Sequence, residues 1–189
     1  MPAYVNTFFE DRVQQLFDLA AIAQQMFSSA DLEYRIIGGL AVYLYVEERE
    51  PDAGRLTKDV DIAVHRADLD RIAEAAAPFG FELRHVAGVD MLSRIDQPSA
   101  RRAIHLVFAG EKVRPDAAEP TPDLGPYREI HGLRLVPLAD LVRMKLTSFR
   151  LKDQTHLKDL DEIGLITPEI DASLPPVLAD RLAQVRARA

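Results

Sequence analysis

A chain of 189 residues that is 48% hydrophobic suffices for one domain with a sizeable core, and a formal charge of −7 speaks against a broad duplex-DNA surface. The absence of cysteine excludes a disulfide, a thiolate metal site and a cysteine nucleophile. No apolar run reaches the ~18 residues of a membrane span, and no charged segment precedes an apolar one at the N-terminus, so the expectation is a cytoplasmic protein without membrane association.

Thr7-Phe8-Phe9-Glu10 has the spacing of a capping box, and Phe9, Val13, Leu16, Phe17, Ala20, Ala23 and Phe27 recur at helical intervals, which predicts an amphipathic helix over residues 7–29. A strand follows at 34–37 and stops at Gly38-Gly39, which open a helix over 40–48. Each glycine in a helix costs roughly 1 kcal/mol against alanine, so the pair marks a positive φ, a close approach or an ordinary tight turn. After a turn-rich loop, residues 59–64 form a second strand. Asp68 caps a helix that Pro78 and Gly80 end, and a third strand covers 81–86. Residues 87–102 are weakly patterned, with one short strand near Met91 and a loop around Pro98. Strand four is 103–108. Residues 113–126, rich in proline, divide a 1–112 core from a 113–189 part that packs on it. That second part holds a hairpin about Gly132, a helix from Pro137 to Arg150, a short helix over 155–163 and a terminal helix over 175–188. The elements alternate irregularly, so the fold class is α+β, a mixed β-sheet flanked by helices with a C-terminal helical segment.

Asp59 and Asp61 stand two apart on the second strand, opposite in direction to Val60, Ile62 and Val64. Two such carboxylates are the protein half of a divalent-metal site that grips a triphosphate. A solvated strand face has the same pattern. The glycine pair lies one crossover helix upstream, and helix-start amides bind phosphate. Lys145 falls inside the apolar stripe of Leu138, Leu141, Val142 and Phe149, where its ammonium either snorkels to water or meets an anion. Arg150 adds charge at the same helix end. His156 and Asp159 fit a metal pair, a base with its orienter, or a solvated helix face.

Gly38-Gly39-Leu40-Ala41, followed by Thr57-Lys58-Asp59-Val60-Asp61, resembles the signature of the polymerase β-like nucleotidyltransferase superfamily. The later PLADLVRMKLTSFRLKDQTHLKDLDEIG resembles the helical end of its AbiEii-type, toxin-related bacterial branch. The resemblance covers residues 34–165. It implies a nucleotidyltransferase-like fold and metal-dependent transfer of a nucleotidyl group from a nucleoside triphosphate to an acceptor hydroxyl on RNA, protein or a small molecule. In that scheme Gly38 and Gly39 cradle the phosphates, with Thr57, Lys58 and Arg150 beside the nucleotide. Asp59 and Asp61 hold Mg2+ or Mn2+, Lys145 steadies the triphosphate, and Asp159 serves as base or orienter for the acceptor. A toxin-like enzyme would also have an antitoxin-like protein partner.

One residue departs from the pattern. Where many members carry a third carboxylate, this chain has His105, which as a metal ligand suits manganese or zinc better than magnesium; Glu82 is a substitute acid to consider. The alternative expectation is therefore a catalytically impaired domain that binds nucleotide or a partner on the same fold.

Overall fold

The computed structural model describes residues 3–51, 53–55, 57, 59–97 and 103–188, with side chains from Val13 onward. In chain order the elements are α1 (Ala3–Ser29), β1 (Arg35–Ile37), α2 (Gly38–Arg49), β2 (Val60–Val64), α3 (Leu69–Ala76), β3 (Phe81–Val86), β4 (Val89–Arg94), β5 (Ile104–Phe108), β6 (Arg128–Ile130), β7 (Leu133–Leu135), α4 (Leu138–Ser148), α5 (Leu151–Glu162), α6 (Pro168–Ala172) and α7 (Pro176–Ala187). Among the described residues no helix is long and apolar enough to cross a membrane.

The strands form one mixed sheet in the order β3-β4-β5-β2-β1-β7-β6. β2 runs antiparallel to β1 and parallel to β5, and β7 runs parallel to β1. Helices flank this sheet, so the α+β expectation holds. From Gly39 to Val46 α2 is apolar and buried on every side, between β1 and β2 and the C-terminal helices α4 and α5, and its last turn, Glu47 to Arg49, reaches solvent. The Tyr45 hydroxyl, carried into the core by that helix, donates to the Val136 carbonyl at 2.9 Å. α1 buries Leu16, Ala20, Ala23 and Phe27, the stripe its spacing predicts. It begins at Ala3, so Thr7 lies inside the helix rather than capping it.

Further boundaries are set more sharply by the fold than by the sequence. The short strand expected near Met91 is β4, six residues long, and it is joined to β3 by Ala87-Gly88. Both residues take positive φ (52° and 79°), the geometry of a two-residue hairpin turn. Part of the expected Pro98 loop lies outside the described residues. The helix expected to run to Arg150 stops at Ser148, because Phe149 is left-handed (φ 51°, ψ 25°). Arg150 is extended, and its backbone N–H donates to the Asp153 carboxylate at 3.3 Å, which starts α5 at Leu151 instead of residue 155. Asp59 precedes β2 rather than lying in it.

Candidate active site

Register decides which side chains meet. Asp61 pairs with Ile37 on β1 and with His105 on β5, and His105 pairs in turn with Met91 on β4. Partners in register point to one side of a sheet. Their neighbours Val60, Ile62, Ile104 and Leu106 are buried in the core, so the row Ile37–Asp61–His105–Met91 belongs to the other face. That face is the floor of a cleft of about 760 Å³, roofed by the end of α4, the start of α5 and the loop from Glu111 to Thr121.

Gly38 explains how the floor and the turn fit together. Its φ is +71°, and a Cβ built there would lie 2.0 Å from Asp61 Oδ2. The glycine therefore both permits the strand-to-helix turn and leaves the space that the carboxylate fills. Gly39 plays a similar part toward Thr57, whose Oγ1 would be 2.6 Å from a Cβ. The Thr57 hydroxyl is buried and has no hydrogen-bond partner among the described residues. Lys58 lies outside them.

Lys145 reaches the same cleft from α4 with a side chain only 7% exposed, so it does not snorkel. Its Nζ donates to Asp153 Oδ1 at 3.1 Å, and Arg150 Nε donates to Asp153 Oδ2 at 2.9 Å. Burial pushes the Lys145 ammonium below the usual lysine range, opposed by the charges of Asp153 and Asp61. Burial would raise Asp153, but Arg150 and Lys145 outweigh it and hold the carboxyl at about 2. Asp61 feels both cations. Its Oδ1 lies 3.2 Å from His105 Nδ1.

Gly38, Asp61, His105, Lys145 and Arg150 thus line one cleft, together with Asp153, which sequence reasoning missed. The signal for Asp153 was its position three residues after Arg150, hidden because residues 151–154 were expected to lie between two helices. Asp59 lies just outside the lining, half-buried before β2, and Gly39 and Thr57 pack behind the glycine turn. Asp159 faces away from the cleft and accepts from Arg55 Nε at 2.7 Å. Glu82 sits on the edge strand β3, paired with Arg84. His156 is buried beside the lysine, with no partner for Nδ1 among the described residues.

A divalent ion is what the resemblance implies here. Among the described residues no three Asp, Glu or His side chains converge as a metal cluster. What the floor offers is the Asp61 carboxylate against Gly38, with His105 beside it and Asp59 two residues before. The Asp61 carboxylate fits a hard cation held jointly with phosphate oxygens rather than a closed protein cage, and the imidazole beside it suits manganese better than magnesium.

No protein-family model and no curated protein matches the sequence. Solved structures do match the fold. An antigenic nucleotidyltransferase-like protein from Paracoccidioides brasiliensis aligns with a TM-score of 0.55 at 18% identity, over 93% of this chain and 88% of that one. The antibiotic-resistance factor ANT(2'')-Ia aligns at 0.45 and 11% identity, over 95% and 84%. JHP933 from Helicobacter pylori aligns at 0.42 and 16%, over 93% of each. The fold is nucleotidyltransferase-like.

Proposed function

We propose that the protein is a metal-dependent nucleotidyltransferase of the AbiEii-like, toxin-type kind. The observation that carries this reading is the convergence of Asp61, seated on the Gly38 turn, with Lys145 and Arg150 across one cleft. An acceptor hydroxyl, on RNA, a protein or a small molecule, attacks the α-phosphorus of a nucleoside triphosphate. The bond from that phosphorus to the bridging oxygen breaks, the hydroxyl proton passes to water, and pyrophosphate leaves. Backbone amides at the Gly38-Gly39 helix start orient phosphate oxygens. Lys145 and Arg150 oppose the charge that builds on the departing phosphates. Asp61, with Asp59, would hold Mg2+ or Mn2+, which when bound supplies further charge neutralisation and alignment. The supporting chemistry is the residue set itself: small backbone, carboxylate and two cations around one space. An antitoxin-like protein is the partner this reading implies.

Incubation of the purified chain with labelled triphosphates, Mg2+ or Mn2+, and RNA or protein acceptors tests it. Transfer of label is expected, and Asp61→Ala and Asp59→Ala should each remove at least about a hundredfold of it, because a metal ligand contributes several kcal/mol. Equal labelling by both variants would overturn the reading. A second reading is favoured by one contact, His105 Nδ1 against Asp61 Oδ1. An imidazole there engages the carboxylate that a metal needs, and leaves a domain that binds triphosphate without turning it over.

A further inference from the structure

The connector between α2 and β2, residues 50–59, brings Thr57 against Gly39 behind the glycine turn and Asp59 to two residues before the cleft residue Asp61, and its described residues form neither helix nor strand. Those described residues are nevertheless fastened at three points. Gly54 lies flat against α2, so close that a Cβ would stand 2.7 Å from the Tyr43 ring and 3.2 Å from Glu47 Oε2. Thr57 packs on Gly39 at the start of the same helix. Between these, Arg55 reaches across to α5 and binds Asp159.

The last contact is the unusual one. Asp159 is only 14% exposed, whereas the Arg55 side chain is 64% exposed, so the acid is a fixed post and the arginine the strap. α5 is also the helix whose first turn carries Asp153, the partner of Lys145. One helix therefore holds the cleft lysine from its N-terminal turn and the aspartate-bearing connector from its third turn. Two parts of the site that lie far apart in sequence are set relative to each other by two ion pairs on a single rigid element.

We propose that Asp159 and Arg55 are positioning residues. Their ion pair locks the α2–β2 connector onto α5 and so sets where Thr57 and Asp59 stand beside the nucleotide site. The proposal rests on the nucleotidyltransferase reading for its purpose, though not for its geometry. A mostly surface pair adds little to global stability, so its effect belongs to local opening of the connector.

Hydrogen–deuterium exchange across residues 50–59 tests the lock, with Mg2+–triphosphate affinity, using ATP, CTP, GTP and UTP as probes, measured on the same proteins. Arg55→Ala and Asp159→Asn are each expected to raise exchange in that segment and weaken triphosphate binding by up to about fivefold, with an unchanged melting temperature. The charge-swapped double variant, Arg55→Asp with Asp159→Arg, should restore both. Unchanged exchange in the single variants overturns the lock. Faster exchange with unaltered affinity reduces the pair to a structural contact and overturns the positioning role. If the unaltered chain binds no triphosphate, the nucleotidyltransferase reading fails, and exchange with its rescue by the swap still decides the lock.

Discussion

The Lys145 ammonium and the Asp153 carboxylate form a buried ion pair at 3.1 Å, and the chain turns a left-handed corner at Phe149 to bring them together. Arg150 holds the second oxygen of the same carboxylate from the more exposed side. The arrangement is asymmetric. Removing the acid leaves a lysine buried with no comparable counter-charge, whereas removing the lysine leaves an acid still bound to an arginine. Asp153→Ala is therefore expected to destabilise the fold by about 3–5 kcal/mol, the cost of an uncompensated buried charge, and Lys145→Met by clearly less. Urea unfolding midpoints of the two variants check this, and the reverse order would refute it. Under the proposed function Lys145→Met, folded and stable, loses triphosphate affinity.

His156 links the same region to pH. Burial, and then the nearby charges of Lys145 and Lys152, push its imidazole down to about 4 from an ordinary 6.5. The folded state thus resists a proton that the unfolded chain accepts. The contribution to stability is fully present above pH 6.5 and is lost as pH falls through 4, amounting to about 3 kcal/mol once both values are passed. Urea unfolding at pH 7 and pH 4 should show His156→Gln losing about that much less stability than the unaltered chain over the interval. Parallel profiles for the two proteins would place the imidazole in a wetter setting than its burial indicates.

Gly38 makes a sharper test of the floor of the cleft. Alanine there meets two separate penalties, a positive φ of 71° and a Cβ that would stand only 2.0 Å from Asp61 Oδ2. The backbone strain costs about 1–3 kcal/mol, and the overlap forces Asp61 from its seat. Gly38→Ala is expected to lower the melting temperature and abolish triphosphate binding together. Gly132→Ala, at the β6–β7 turn, has a φ of 76° and open space around its Cβ, so it should show the strain without the loss of binding. If both glycine variants bind triphosphate equally well, the Gly38 turn is not part of a nucleotide site.

These contrasts show which parts of the site a sequence can carry. The glycine pair, the D-x-D spacing and a lysine inside an apolar stripe are local patterns, and the elements that bear them follow from period and turn chemistry. Asp153 was hidden because its role depends on one residue, Phe149, adopting a left-handed conformation that nothing in its identity requires. With the next helix expected only from residue 155, Asp153 falls in a connecting stretch instead of the first turn of α5. Asp159 drew attention for the opposite reason: spacing along a helix shows which residues share a face, and only packing shows what that face meets. Both strands of the β3–β4 hairpin are legible in the sequence, but their pairing is not, because the turn needs Ala87 in a positive φ of 52° that its identity does not require.

His105 offers the most decisive substitution. It pairs in register with Asp61, at the position where the resemblance expects an acid, and its ring nitrogen already contacts that carboxylate. His105→Asp would set two carboxylates side by side on β2 and β5. Without a cation they repel, so the variant should be less stable than the parent in the presence of a chelator. With millimolar magnesium the two acids share a hard cation, and the loss should be recovered, giving a metal-dependent rise in melting temperature larger than that of the unaltered chain. Under the nucleotidyltransferase reading, turnover should also shift from manganese toward magnesium, since carboxylate suits magnesium better than imidazole does. A His105→Asp protein whose melting temperature ignores magnesium would show that no cation sits beside Asp61, and would favour the domain as a binder of nucleotide without metal-assisted transfer.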